Sequence, residues 1–156
     1  MQGYYADRAA TAEAIDDHGW LASGDLGTMD AEGYVKITGR LKEMIIRGGE
    51  NIYPREIEDL LFTHPKVAEA AVFGIPDEFY GEDVAVWIQL HEGETATEEE
   101  MRDFLKTHLA HFKVPKRVRF VEDFPMTVTG KLKKFRMREF ENARRDHAGE
   151  PEPSCS

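Results

Sequence analysis

The sequence has little cysteine and no long apolar run, and each shortage excludes a class of protein. The one cysteine among 156 residues is Cys155, near the end of the sequence, so neither an internal disulfide framework nor a cysteine metal site can form. The absence of a disulfide framework is typical of a protein from a reducing compartment. No apolar run approaches the length that crosses a bilayer, and residues 1–16 lack the apolar core of a signal peptide. We expect a soluble, cytoplasmic protein, with the mitochondrial matrix as the alternative for a eukaryotic source.

Positive charge is also scarce. The chain has 20 Lys and Arg against 30 Asp and Glu, a formal net charge of -10, which disfavours nonspecific binding to nucleic acid or to an anionic membrane. The basic residues are unevenly distributed along the chain, because the stretch 111–145 holds 11 basic and 4 acidic residues. This basic end indicates either a local anion site or a solvated helix and strand face. We expect no nucleic-acid partner.

The chain length fits one ordinary domain, or one domain plus a fragment of another. From about Leu41 onward the pattern predicts helix, strand, strand, helix, strand. The predicted elements are a helix from Pro54, two central strands at 67–73 and 84–90 with a loop at 74–83, a helix capped by Thr97 whose stripe runs to Leu109, a strand at 117–121, an irregular loop at 124–131 and a basic helix-prone segment at 133–144.

Residues 1–40 are predicted to contain too few strands to fold alone. A short helix is predicted within 6–15, and two strands at 26–29 and 34–37 form a hairpin. Such a hairpin cannot bury a face by itself. We therefore predict an α+β fold: a small mixed domain with a short sheet flanked by helices plus a β-hairpin at 41–142, preceded by a β-rich remnant at 1–40 and followed by a flexible tail at 143–156.

The stretch Gly39–Ile52 (GRLKEMIIRGGENI) is the most informative. A charged turn leads into a short apolar strand that ends on Gly48 and Gly49. Glycine adopts backbone angles and permits close approaches that a Cβ would block, so the pair predicts a hairpin turn or a place where a ligand passes the main chain.

Three charged residues are candidates for binding or catalysis, and each has a plainer interpretation. Asp25 follows a glycine in a turn, where its carboxylate can accept hydrogen bonds from ribose hydroxyls or from its own backbone. Arg40 offers a planar fork of donors for phosphate or ribose oxygens, or is simply solvated. Lys131 follows Gly130 in a loop that could carry its ammonium to an oxyanion, although most loop lysines have no such role.

Four ordered segments resemble motifs of the adenylate-forming superfamily, which includes acyl-CoA synthetases, peptide-synthetase adenylation domains and beetle luciferases. The segments are WLASGDLG (20–27), GRLKEMIIRGGENIYPREIE (39–58), HFKVP (111–115) and PMTVTGK (125–131). The resemblance spans about residues 3–140 and is greatest to the medium-chain fatty acyl-CoA synthetases.

The resemblance implies a two-step reaction. A carboxylic acid reacts with ATP to give acyl-AMP and pyrophosphate, and coenzyme A then takes the acyl group and releases AMP. By resemblance, Asp25 and Arg40 bind the ribose and Ile37 touches adenine. Lys131 is the catalytic residue of the first step, because its compact cation stabilises charge between the carboxylate and the α-phosphate. Lys42 lies at the hinge of a mobile C-terminal domain.

Rotation at that hinge is implied to withdraw Lys131 and to bring Gly48 and Gly49 beside the pantetheine of coenzyme A. The stretch 113–119 is implied to assist with coenzyme A phosphates, with no residue assigned. The family's phosphate loop, Mg2+ ligand and acyl pocket belong to a large N-terminal adenylation domain, and by resemblance residues 1–40 are only the distal end of that domain. We therefore expect the chain alone to be inactive. The alternative function is a stand-alone binding module that docks on a separate adenylation domain or carrier protein.

Overall fold

The computed structural model describes residues 1–147, and these form two compact units that are described separately. The first comprises Met1–Lys42 and the second begins at Glu43. The last helix continues to His147 and so includes the first residues of the segment 143–156 that the sequence predicts as a tail. The remainder of that tail, with Cys155, lies outside the described residues. Within residues 1–147, no helix has the length and apolar character needed to cross a bilayer.

The first unit contains one helix and one hairpin. Helix α1 spans Arg8–Ala14 and is capped by the Asp7 side chain, which accepts a hydrogen bond from the backbone N–H of Ala10. Strands β1 (Asp25–Met29) and β2 (Val35–Arg40) pair antiparallel, as the sequence predicts. No residue of this unit is buried. The side chains of this hairpin are therefore accessible to solvent or to a binding partner.

The second unit has the predicted mixed α+β architecture. A short 3-10 turn at Leu41–Glu43 leads into it. Its elements are β3 (Ile45–Arg47), β4 (Glu50–Ile52), α2 (Pro54–Leu61), β5 (Val67–Asp77), β6 (Gly81–Leu90), α3 (Glu98–Lys106), β7 (Arg117–Phe120) and α4 (Lys134–His147). Pro54 is the first residue of α2, where its missing N–H has no cost. Thr97 caps α3 by accepting from the Glu100 N–H.

The sheet of this unit is organised around β6. Its strand order is β4-β3-β6-β5, and β7 also pairs with β6, in parallel. We predicted that both long strands lie centrally; this is correct for β6, whereas β5 stands at one end of the order. Strand β3 meets β6 at a single residue pair, Arg47 and Gly81. Backbone pairing therefore attaches the β3–β4 hairpin to β6 at only this one residue pair.

Two hydrophobic clusters lie on opposite faces of β5 and β6. Val72, Val84 and Val86 point to the cluster formed with α2 and α3, whereas Phe73 and Trp87 point to the cluster that contains Met137 of α4. Successive residues of a strand face opposite sides. Because helices cover both faces, the two strands are almost continuously apolar.

Two element boundaries differ from the prediction. The segment 74–83 is not all loop, since the β5–β6 ladder continues to the pair Asp77 and Gly81. Ladder hydrogen bonds require only backbone groups, so turn-forming residues can continue a strand whose partner is in register. Helix α3 ends at Lys106 rather than near Leu109, because the Thr107 hydroxyl bonds back to the Phe104 carbonyl and competes with the helix.

Candidate functional site

Lys131 lies in a closed loop between β7 and α4. The residues flanking the loop, Met126 and Leu132, form an isolated antiparallel bridge. Inside it, the Thr127 N–H donates to the Lys131 carbonyl at 2.7 Å, and the Lys131 N–H donates to Thr127 Oγ1 at 3.0 Å. Gly130 adopts φ +77°, which few side chains tolerate. The backbone at Lys131 is therefore fixed while the residue is exposed.

The helix that follows this loop is attached to α2 by an ion pair that the sequence did not predict. Lys134 Nζ lies 2.9 Å from Glu58 Oε1 and 3.0 Å from Glu43 Oε2. The same Glu58 oxygen accepts the Val72 N–H at 2.8 Å. Lys134 is 19% exposed and Glu58 is 16% exposed, so water screens this pair incompletely. The start of α4 is thus held beside the residue that follows the predicted hinge.

Gly48 and Gly49 form the two-residue turn between β3 and β4. Arg47 pairs with Glu50 across the turn, and the glycines have φ of +57° and +89°. Positive φ at both central positions is the type I′ geometry that suits a hairpin. A Cβ on Gly48 would lie 3.1 Å from the Tyr80 ring, whereas one on Gly49 would meet open space. Backbone conformation alone therefore accounts for the second glycine.

The first unit brings Asp25 and Arg40 together. These residues face each other across β1 and β2, and Arg40 Nε donates to Asp25 Oδ1 at 3.1 Å. Their side chains are 30% and 67% exposed, so each keeps polar atoms available to a ligand. Ile37 lies on β2 opposite Gly27 and is 46% exposed. The hairpin thus carries an acceptor, a donor and an apolar surface.

Lys42 is exposed within the 3-10 turn at Leu41–Glu43. It is the last residue of the first unit, and Glu43 begins the second. Its role as a hinge stays a prediction.

Several residues of the basic stretch 111–145 form ion pairs in the fold. Lys113 contacts Glu56 at 2.7 Å, and Arg119 contacts Glu141 at 2.7 Å. Lys116 lies 3.0 Å from Asp77. These pairs favour the second of our two interpretations, a solvated helix and strand face, over a local anion site. The sequence could not indicate this, because each acidic partner is distant in the chain.

The Asp77 carboxylate also closes the β5–β6 turn. Hydrogen bonds from the N–H groups of Tyr80 and Phe79, together with Lys116, lower the pKa of Asp77 to about 2. The Tyr80 hydrogen bond is the largest cause. In return the Asp77 carboxylate raises the pKa of Lys116. Asp77 is therefore ionised throughout the physiological range.

No cluster of three or more His, Cys, Asp or Glu suited to a metal ion occurs among residues 1–147. The candidate residues that contact one another are Asp25 and Arg40. Within the second unit, the glycine turn and the Lys131 loop belong to different elements, since one joins β3 to β4 and the other precedes α4.

Comparison with known proteins identifies the second unit. Residues 56–131 match the model of the AMP-binding enzyme C-terminal domain. This segment is an AMP-binding enzyme C-terminal domain. Around it, the chain is 50% identical over 139 residues to YngI of Bacillus subtilis (strain 168), and the match covers 89% of this chain and 25% of that protein. The human medium-chain acyl-CoA ligase ACSF2, mitochondrial, is 48% identical over 139 residues, with 89% and 23% covered.

A solved structure gives the same result for this AMP-binding C-terminal domain and the residues before it. ATP-bound MatB from Rhodopseudomonas palustris superimposes with a TM-score of 0.84 at 40% identity, covering 89% of this chain and 28% of MatB. The chain spans about a quarter of the length of the curated relatives that it matches. The mixed α+β fold of the second unit is thereby that of the C-terminal domain of adenylate-forming enzymes.

Proposed function

We propose that this chain is the C-terminal part of an ATP-dependent acyl-CoA synthetase. In the first half-reaction, a carboxylate oxygen attacks the α-phosphorus of ATP, the bond to the bridging oxygen breaks, and acyl-AMP and pyrophosphate form. In the second, the thiol of coenzyme A loses its proton and its sulfur attacks the acyl carbon, which releases AMP. The products are acyl-CoA, AMP and pyrophosphate, and the class is acid-thiol ligase.

The observation that carries the proposal is the Lys131 loop. Its backbone is held by paired hydrogen bonds to Thr127, yet Lys131 itself is exposed. An ammonium on a fixed base can be presented to a developing oxyanion without reorganising the loop. We assign Lys131 to the first half-reaction, where negative charge accumulates between the carboxylate and the α-phosphate.

Nucleotide binding is assigned to the first unit. Asp25 Oδ1 already accepts from Arg40 Nε, which leaves Oδ2 free to accept from a ribose hydroxyl and the other Arg40 N–H groups free to donate. The exposed side chain of Ile37 supplies an apolar contact for adenine. Both charged groups remain close to solvent, as a site for an entering and leaving substrate requires.

We assign the second half-reaction to the Gly48–Gly49 turn of the second unit. Gly48 and Gly49 would line the passage for the pantetheine arm of coenzyme A, because a turn without side chains allows close approach. Lys42 would be the hinge about which the domain rotates between two states. One state would bring Lys131 to the reacting groups, and the other would bring the glycine turn there.

The remaining partners follow from the same proposal. An N-terminal adenylation domain would supply the acyl pocket and Mg2+, and we assign Mg2+ to no residue of this chain. The chain could also form a homo-oligomer, although the alternating mechanism does not require one. Some relatives are named as mitochondrial, so the mitochondrial matrix stands beside the cytoplasm as the expected compartment.

The decisive experiment separates the two half-reactions in the full-length enzyme that carries this chain. We expect Lys131→Ala to lower acyl-AMP formation, measured by ATP–pyrophosphate exchange, by about 100-fold to 1000-fold. Thioester formation from supplied acyl-AMP should stay nearly unchanged. Lys106→Ala, which removes another lysine of the second unit, is the matched control. Equal losses in both half-reactions would contradict the assignment.

A second test uses the 156-residue chain alone. Because the acyl pocket is assigned elsewhere, we expect no AMP release with octanoate, ATP and coenzyme A. Turnover by the isolated chain would contradict the division of labour proposed here. Tight binding of the chain to a separate carrier protein, together with an inactive full-length protein, would instead support the binding-module alternative.

A further inference from the structure

The turn that carries Gly48 and Gly49 is fastened to the sheet by three successive residues of its own strand end. The Ile46 N–H donates to Glu82 Oε2 at 2.8 Å, Arg47 Nε lies 3.1 Å from Asp83 Oδ1, and the Gly48 N–H donates to the Tyr80 carbonyl at 2.9 Å. Tyr80 lies in the β5–β6 turn, and Glu82 and Asp83 lie in the first residues of β6. The β5–β6 hairpin therefore fixes the position of the turn in the β3–β4 hairpin.

The Glu82 contact replaces a missing backbone hydrogen bond. In the β3–β4 hairpin, Arg47 and Glu50 close the two-residue turn, so the next pair, Ile46 and Asn51, directs its N–H groups away from the partner strand. A full neighbouring strand would offer a carbonyl to the Ile46 N–H, but β3 pairs with β6 only at Arg47 and Gly81. The Glu82 carboxylate supplies the acceptor instead, with the added strength of a charged group.

Gly74 makes room for this carboxylate. A Cβ built on Gly74 would lie 2.9 Å from Glu82 Oε1 and 3.3 Å from Ile45 Cγ1. Gly74 is buried and lies in β5 opposite Val84, so its glycine is explained by space and not by a positive φ. Gly74 and Glu82 thus act together on the strand that ends in the glycine turn.

We propose that Glu82 is a positioning residue for the binding of coenzyme A. Its carboxylate holds the Gly48–Gly49 turn at the place where the pantetheine arm passes. This proposal rests on the proposed function, because it assigns the turn to the second half-reaction. Glu82 acts through the Ile46 N–H and touches no substrate. Without it, the turn shifts relative to β6 and the passage loses its shape, whereas Lys131 stays in place.

The test measures both half-reactions in the full-length enzyme. We expect Glu82→Ala to raise KM for coenzyme A, or lower kcat for thioester formation from supplied acyl-AMP, by about tenfold, the effect of losing a hydrogen bond to a charged group. ATP–pyrophosphate exchange should stay within about twofold. Glu82→Gln should restore most of the activity, because its amide oxygen can accept from Ile46. Glu78→Ala, an exposed glutamate of the β5–β6 turn, should behave as wild type.

Gly74→Ala provides an independent perturbation of the same contact. It should mimic Glu82→Ala by displacing the carboxylate, and the double variant Gly74→Ala/Glu82→Ala should be no worse than the more impaired single variant, since both changes break one interaction. Additive losses would overturn the proposal.

Equal losses in both half-reactions, or a Glu82→Gln variant as impaired as Glu82→Ala, would also overturn it by indicating a general structural role. These outcomes are distinct from failure of the proposed function. In that case the wild-type enzyme itself would form no acyl-CoA, and the positioning role would fall with it. Wild-type activity with an unaffected Glu82→Ala would refute only the present inference.

Discussion

The two units of this chain contain similar hairpins but differ in what lies beneath them. The β1–β2 hairpin belongs to a unit without a buried residue, whereas the β3–β4 hairpin contributes fully buried Ile45 and Ile52 to a helix-covered core. Burial of apolar area is the dominant favourable term in folding. Side chains of the first unit are therefore available for recognition, and those of the second mainly hold the fold.

The sharpest test of this contrast replaces one isoleucine in each unit. Ile57→Ala should lower the free energy of unfolding by about 2–5 kcal/mol, because it empties a site with no solvent exposure. Ile37→Ala, at 46% exposure, should cost less than about 1 kcal/mol. Urea unfolding measures both costs: the fluorescence of buried Trp87 in a Trp20→Phe background follows the second unit, and circular dichroism follows the whole chain, including the first unit. Equal costs would refute the contrast.

Ion pairs provide the next comparison. Glu141 is 5% exposed and accepts from Trp87 Nε1 at 2.9 Å and Arg119 Nε at 2.7 Å. Glu141→Ala should therefore cost about 2 kcal/mol, since it leaves a buried indole N–H unpaired. Asp25→Ala breaks the exposed pair with Arg40 and should cost at most about 1 kcal/mol. The same unfolding curves, followed by circular dichroism, decide this; a larger cost for Asp25→Ala would be the contrary result.

Glycine substitutions give a smaller effect. Gly49→Ala introduces no clash but forces an L residue to φ +89°, so we expect a loss of about 1–2 kcal/mol. Gly39 of the first unit also has open space around it and lacks a positive φ. Gly39→Ala should consequently be neutral or slightly stabilising. Thermal unfolding midpoints distinguish the pair, and similar midpoints would show that backbone strain does not explain Gly49.

The smallest expected effect is a pH dependence confined to the second unit. The native pKa of Asp77, about 2, lies below the ordinary value of 3.8. Its ionised form is thus favoured by folding, and this contribution is complete above about pH 4 and disappears as the pH falls through 3.8 toward 2. Asp77→Asn keeps an acceptor for the turn but loses the attraction to Lys116.

The stability difference between wild type and Asp77→Asn, measured by urea titrations at several pH values, should therefore shrink across that acidic range. A difference that is constant from pH 6 to pH 2.5 would contradict the assignment of the low pKa to Asp77.

Local signals in the sequence predicted the elements well where the controlling interaction was itself local. Pro54 and Thr97 begin helices as expected, because a proline at a first turn and a threonine cap act within a few residues. The paired glycines Gly48 and Gly49 likewise predicted a hairpin turn. The extent of β5 was underestimated, because its end depends on the partner strand and not on its own residues.

The candidate site divides in the same way. Asp25, Arg40 and Lys131 were nominated from short motifs, and the resemblance assigned them roles that stay proposals. The contacts that hold the start of α4 and the glycine turn could not be predicted from the sequence, because Lys134 and Glu43 are 91 residues apart and Ile46 and Glu82 are 36 residues apart. In the sequence, Lys134, Glu43 and Glu82 are indistinguishable from ordinary surface charges, and only the fold brings their partners beside them.

The sequence by itself determined the family, most of the order of the elements, the Gly48–Gly49 turn and the Thr97 cap, because those features depend on neighbouring residues. Tertiary structure alone decided that the basic end is ion-paired, that Gly74 yields space to Glu82, and that the glycine turn is aimed by another hairpin. Such features depend on distances between residues far apart in the chain, and a one-dimensional pattern does not contain those distances.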